Sequence, residues 1–310
     1  MILTFIILAS IMVILSILLS NLIDALDQKS HLSSALIGGV MLAAATSLPE
    51  LFTSMTAVIR LDNADMVLGN VLGSNFFNLL IMGLIILFYT RFLKKITIEK
   101  EHNRTAIYSL IIFIFVGLTV LLGIDITLFG ISAFSFLILG LYAFAVKKMS
   151  VSKKDVIEDK TSFDMKPYIL GFILLSGLVL ITSIFLTITT DQIAAEYNIG
   201  YTVAGALFLG VITSLPELVS SFNLARLRNF NAAFGNVLGS NLFNFLILVI
   251  SDMSYRKGSL YVQTYDNMIL VSFGLLASLL ALGMLFKPRY AKITSSILIA
   301  SYVLYLVISF

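Results

Sequence analysis

Cysteine and tryptophan are absent from this 310-residue chain, proline occurs only four times, and charged residues make up just 12%. Without cysteine there is no disulfide, no thiolate metal site and no cysteine nucleophile. Two histidines, His31 and His102, both in polar stretches, are too few for a zinc site. An ordinary soluble domain carries roughly 25% charge; here 59% of residues are hydrophobic and apolar runs recur along the whole length. A water-soluble fold is excluded. What remains is an all-α polytopic membrane protein, because a helix satisfies its own backbone in lipid and the short alternating segments of a barrel are missing. The net charge of +3 reports loop topology, and no nucleic-acid partner is expected. No nucleotide-binding loop is present, and no cofactor is expected. The start, Met1-Ile2-Leu3, has no basic region and no small-residue cleavage site, so the first apolar run is expected to be a retained helix.

Ten runs are long enough to cross a hydrocarbon core of roughly 30 Å. They cover 2–22, 33–59, 66–90, 105–123, 126–146, 167–189, 200–225, 232–251, 267–286 and 291–309. The only long polar segment, 147–166, divides them into a first five-helix unit, 1–146, and a second, 167–310. Seventeen of the twenty Lys and Arg residues fall in the odd-numbered loops and none at the termini. The positive-inside rule therefore predicts a multi-pass protein of the cell membrane with both termini outside and the 147–166 linker cytoplasmic. Five spans per half also means that the second half enters the membrane inverted relative to the first.

The halves repeat one another. TSLPEL stands at 46–51 and again at 213–218; GNVLGSNFFN at 69–78 returns as GNVLGSNLFN at 235–244, with nine of ten positions identical. Each block lies in the second and third spans of its half. That is the organisation of an inverted-repeat transporter, whose broken helices meet near the bilayer midplane.

Fifteen of the seventeen acids lie in loops or at span ends, which leaves Glu50 and Glu217, one in each TSLPEL block. A carboxylate inside a span is costly unless neutralised, and it marks an ion site or pathway by default. The alternative, a protonated Glu making an interhelical hydrogen bond, is a poor account of a duplicated pair. Apart from Lys292 at the very start of the last span, no Lys, Arg or His lies inside a predicted span, so the balancing charge is expected to be a bound cation or a proton. Pro49 and Pro216 precede these glutamates, and each removes a backbone donor and frees carbonyls around Ala45–Thr46 and Ile212–Thr213. Carbonyls, carboxylates and the hydroxyls of Thr46, Ser47, Thr213 and Ser214 form an all-oxygen set that suits Ca2+, Na+ or Mg2+ rather than a soft metal. In the second block, Asn70, Ser74 and Asn78, like Asn236, Ser240 and Asn244, share one helix face. Asn78 and Asn244 are placed to offer neutral oxygens. Gly69 and Gly73, with Gly235 and Gly239, read as close helix approach.

These blocks resemble the two alpha repeats of the cation/calcium exchanger superfamily, in its sodium/calcium exchanger and bacterial homologue branch. The resemblance extends over nearly the whole chain in topology. It implies a non-enzymatic antiporter that carries Ca2+ out in exchange for Na+. By position, Glu50 and Glu217 would share the Ca2+, aided by the Thr46 and Thr213 carbonyls, with Asn78 and Asn244 at the border of the site. One Na+ cluster would use Thr46, Ser47, Ser74 and the Ala43 carbonyl, the other Thr213, Ser214, Ser240 and the Gly210 carbonyl. The family pattern has Gly where Ala45 and Ile212 stand here. Some relatives, K+-dependent exchangers among them, have Asp where this chain has Asn244, which argues against K+ co-transport. The partners expected are small inorganic cations and the lipid bilayer, with no protein partner. The linker is too short to fold as a domain, so no large Ca2+-sensing module is expected there, and any regulation is expected to act through the transport sites. Competing readings are Ca2+/H+ or other divalent antiport, and a cation channel. An intramembrane protease is excluded, because no Asp pair or Ser–His pair lies within the spans.

Overall fold

The computed structural model describes residues 1–29, 46–93, 100–150, 166–255 and 257–309. Its elements are α1 (Ile2–Lys29), α2 (Leu48–Leu61), α3 (Ala64–Leu93), α4 (Lys100–Leu122), a two-stranded hairpin, α5 (Ala133–Ser150) and α6 (Lys166–Tyr197). A broken span follows, made of α7 (Tyr201–Ala204), a π-helical stretch Gly205–Gly210, α8 (Val211–Thr213) and α9 (Leu215–Arg226). The chain ends with α10 (Phe230–Ser254), α11 (Tyr265–Phe286), a single 3₁₀ turn and α12 (Ala291–Ser309). Among the described residues seven helices are long and apolar enough to cross a bilayer, and the broken span, bent by 44°, is an eighth. This is a mostly helical, multi-pass membrane protein.

Its exterior is apolar, as lipid demands, and polar side chains are buried among the apolar ones of its interior. Leu3, Phe88, Ile173 and Val307 are exposed, whereas Asn70, Asn75, Thr187, Ser240 and Asn267 are buried. Apolar side chains on the outside are at no disadvantage in hydrocarbon, and the buried polar groups can satisfy one another. Helices at equivalent positions of the two sequence halves pack on each other: α1 against α6, α3 against α10, and α4 against α11. A phenylalanine and tyrosine cluster of Phe76, Phe273, Tyr302 and Tyr305 holds α3 to α11 and α12.

All four prolines lie at the beginning of a helical segment. Pro49 and Pro216 are the second residues of α2 and α9, Pro167 is the second residue of α6, and Pro288 opens the 3₁₀ turn Pro288–Tyr290. There the missing N–H has no intrahelical acceptor to lose and the fixed φ is already helical. A chain this poor in proline uses it to start helices.

Three expectations change. The stretch 126–146 is not helical from its start: Thr127–Leu128 pairs antiparallel with Ile131–Ser132 before α5 begins. Phe129 and Gly130 have φ of 55° and 80°, a turn that closes a tight hairpin and cannot continue a helix. The fold is therefore mostly helical rather than all-α. α6 runs to Tyr197 instead of ending near 189. α4 begins at Lys100, so His102 lies on its first turn, buried against α10, where a Cβ on Gly235 would sit 3.3 Å from its ring. The predicted span 33–59 lies outside the described residues before 46, as does the linker from 151 to 165.

Candidate cation site

Two helices begin inside the protein, and they begin alike. Ser47 (φ −94°, ψ 11°) and Ser214 (φ −91°, ψ 2°) leave helical geometry by the same amount, and α2 and α9 restart at Leu48 and Leu215. Neither serine side chain caps its helix. The restart leaves the first backbone N–H groups of each new helix without intrahelical acceptors, so its beginning carries partial positive charge. Glu50 and Glu217 occupy these first turns, with exposures of 1% and 0%. The helix beginnings offset part of the cost of burying two carboxylates.

Neither glutamate is fully satisfied. Ser214 donates to Glu50 Oε1 at 3.2 Å, and Thr213 also faces this carboxylate. Glu50 Oε2 is buried with no hydrogen-bond partner, and so are both oxygens of Glu217. Thr46 and Ser240 are the polar side chains that face Glu217, and the two carboxylates are close enough for their charges to interact. The carbonyl oxygens of the Asn78 and Asn244 side chains and the Ser47 hydroxyl are likewise buried without partners. Buried polar atoms are normally paired, and an orphan calls for an explanation such as an ion. Here the orphans are oxygens, the ligand type of hard cations. Among the described residues the only ion pair, Lys257 with Asp62 at 2.7 Å, is exposed and elsewhere.

The structure divides the flanking serines differently from the sequence reading. Ser74 donates to the Gly210 carbonyl at 3.1 Å, which joins it to the Thr213, Ser214 and Glu50 side. Ser240 faces Glu217 together with Thr46. The cause is close helix approach. A Cβ on Gly69 would meet the Thr202 carbonyl oxygen at 2.1 Å, and one on Gly73 the Ala206 Cα at 2.5 Å. A Cβ on Gly205 would reach the Met66 carbonyl oxygen at 2.4 Å, and one on Gly210 the Asn70 carbonyl oxygen at 2.9 Å. The broken span of the second half thus lies backbone to backbone on α3 of the first, and each oxygen cluster is built from both halves. Ala43 lies outside the described residues.

Asn70 and Asn236 hold the interrupted helices in place. Asn70 Nδ2 lies 2.8 Å from both the Thr53 and Ser54 hydroxyls and 3.1 Å from the Glu50 carbonyl. Asn236 reaches Ser221, the counterpart of Ser54, at 3.0 Å. Their amide nitrogens face the polypeptide, while Asn70 Oδ1 is buried without a partner. Sequence reasoning passed over Asn75, whose side-chain oxygen accepts from Asn244 Nδ2 at 2.9 Å and whose backbone carbonyl accepts from Asn241 at 3.1 Å. These bonds fix the amide of Asn244 with its oxygen left over. The signal was available, since Asn75 and Asn241 also recur between the blocks.

The chain matches the family described as "Sodium/calcium exchanger protein" over residues 1–149 and 167–310. It is 27% identical over 235 residues to the putative antiporter CaxA of Alkalimonas amylolytica, covering 73% of this chain and 72% of that one. Its fold is similar to the crystal structure of the H+/Ca2+ exchanger CAX, with a TM-score of 0.73, 16% identity, and coverage of 99% of this chain and 86% of that one. It is also similar to the sodium-calcium exchanger NCX_Mj, with a TM-score of 0.62, 22% identity, and coverage of 98% and 96%.

Proposed function

The chain belongs to the sodium/calcium exchanger protein family, and from that premise we propose that it is a secondary antiporter exchanging Ca2+ for Na+ by alternating access. One observation carries the reading: two buried carboxylates, one from each sequence half, face each other with three of their four oxygens unpartnered. Ten spans form two inverted units, 1–146 and 167–310, joined by the cytoplasmic linker 147–166, with both termini outside. The mutual packing of equivalent helices supports a two-fold relation between the units. Glu50 and Glu217 hold Ca2+, bordered by Asn78 and Asn244. Na+ takes two flanking positions, one with Ser74, Thr213, Ser214 and the Gly210 carbonyl, the other with Thr46, Ser47, Ser240 and the Ala43 carbonyl.

Two carboxylates supply −2, which one Ca2+ neutralises and which two or three Na+ neutralise or slightly exceed. An empty site leaves two anions in a low-dielectric interior, at a desolvation cost of several kcal/mol each. The empty carrier therefore changes face rarely, and loaded forms turn over. Neutral hydroxyls and carbonyls beside each glutamate favour Na+ as the counter-ion, because a proton needs only the carboxylate. In proteoliposomes, an outward Na+ gradient is expected to drive uptake of 45Ca2+ with the pH held equal on both sides. Uptake driven by a pH gradient alone, with none from Na+, would replace Na+ by H+ in this scheme.

A further inference from the structure

The sequence places Asp125 and Asp252 among the acids in loops or at span ends, yet Asp252, near the end of α10, is only 1% exposed. Its Oδ2 accepts from the Ser132 N–H at 2.9 Å and the Ser135 hydroxyl at 2.7 Å. The Leu260 N–H also faces the carboxylate. Its Oδ1 is buried without a hydrogen-bond partner. Asp125 repeats the pattern: Oδ1 accepts from the Ser132 hydroxyl at 2.5 Å, and Oδ2 is buried and unpartnered. Ser132 thus holds both carboxylates, one by its backbone and one by its side chain, and leaves each an open oxygen. The Tyr261 hydroxyl lies 2.9 Å from Ser135 Oγ. Ser135 gives its only hydrogen to Asp252, so Tyr261 is the donor in that pair and keeps its own lone pairs. Burial pushes the Tyr261 phenol far above its usual range, which keeps it a neutral hydroxyl. Among the described residues no cationic side chain makes an ion pair with either aspartate.

We propose that Asp125 and Asp252, with Tyr261, form a second site for a hard divalent cation such as Ca2+, separate from the glutamate pair. Two unpartnered carboxylate oxygens and a phenolic oxygen, completed by water, match the ligand types and charge that Ca2+ takes. The hairpin turn at Phe129–Gly130 presents Ser132 to α10, so the site joins the beginning of α5 to the helix that carries Ser240 and Asn244. Occupancy therefore bears on the second repeated block without involving either glutamate, in contrast to the expectation that regulation acts only through the transport sites.

The test uses the full chain in detergent with both Glu50→Gln and Glu217→Gln, so failure of the transport site and failure of this site are read separately. Equilibrium binding of 45Ca2+ is expected to find one Ca2+ retained per chain. Adding Asp252→Asn or Asp125→Asn should weaken it at least about tenfold, with unchanged melting in Ca2+-free buffer as the folding control. The chain has no tryptophan, so Tb3+ luminescence excited through tyrosine gives a second readout. Tyr261→Phe should reduce that emission while leaving both carboxylates in place. No Ca2+ bound to the double Gln chain, as a proton shared between the aspartates would give, overturns the proposal. So does binding indifferent to both Asn substitutions.

Discussion

Replacing Glu50 by Gln, or Glu217 by Gln, is expected to abolish Ca2+ exchange in reconstituted vesicles. Gln keeps the volume and one acceptor oxygen, so the helix starts at Leu48 and Leu215 remain. What it removes is one of the two carboxylate charges that the proposed site offers to a cation. Removing one partner of a buried ionic arrangement costs about 3–5 kcal/mol, or about two to four powers of ten in affinity. The effect is expected to be similar for the two residues, because each lies in the first turn of an interrupted helix and is almost fully buried. A thermal-stability measurement separates lost binding from misfolding. With Asp252→Asn present in every chain, so that the second proposed site is removed, Ca2+ at about 100 times its dissociation constant should stabilise the chain that keeps both glutamates by about 2.7 kcal/mol, and it should leave either Gln variant near its ion-free melting temperature. Near-normal exchange in either Gln variant removes that glutamate from the site.

The second large effect is expected at a residue that binds nothing. Gly69→Ala places a methyl carbon 2.1 Å from the Thr202 carbonyl oxygen, and Gly205→Ala places one 2.4 Å from the Met66 carbonyl oxygen. Both contacts are with backbone, so no side chain can swing aside and the helices must separate. Overpacking of this kind costs typically about 1–3 kcal/mol and sometimes more, and here it also moves Ser74 away from Gly210. Stability and transport are both expected to fall steeply. Gly177→Ala is the matched control, since nothing lies within 4 Å of the added carbon. Helix propensity favours alanine over glycine by about 1 kcal/mol, so this variant should melt at the same temperature or higher. Equal losses for Gly69→Ala and Gly177→Ala would contradict the backbone-to-backbone contact.

The extent to which the sequence disclosed the site follows from its physics. The glutamates were legible because an unpaired acid in an apolar run has few stable explanations, and the duplicated blocks made chance untenable. The proline was legible as a break, and the structure placed that break at Ser47 and Ser214. The partition of the serines was not legible. Spacing along one helix says which residues share a face, but not which half supplies the helix opposite, and Ser74 meets Gly210 across 136 residues. The hairpin ahead of α5 escaped notice because Phe129 adopts a positive φ usually left to glycine or asparagine. The Asp125 and Asp252 pair escaped because each, taken alone, ends an apolar run as a solvated acid does.

The central claim is that a two-carboxylate site crosses the membrane only when filled. Efflux of 45Ca2+ from loaded proteoliposomes into medium containing choline as the only added cation tests it directly. The account predicts almost no efflux into choline, and rapid release when Na+ or unlabelled Ca2+ is added outside. Efflux into choline as fast as into Na+ would mean a channel or a uniporter and would contradict it.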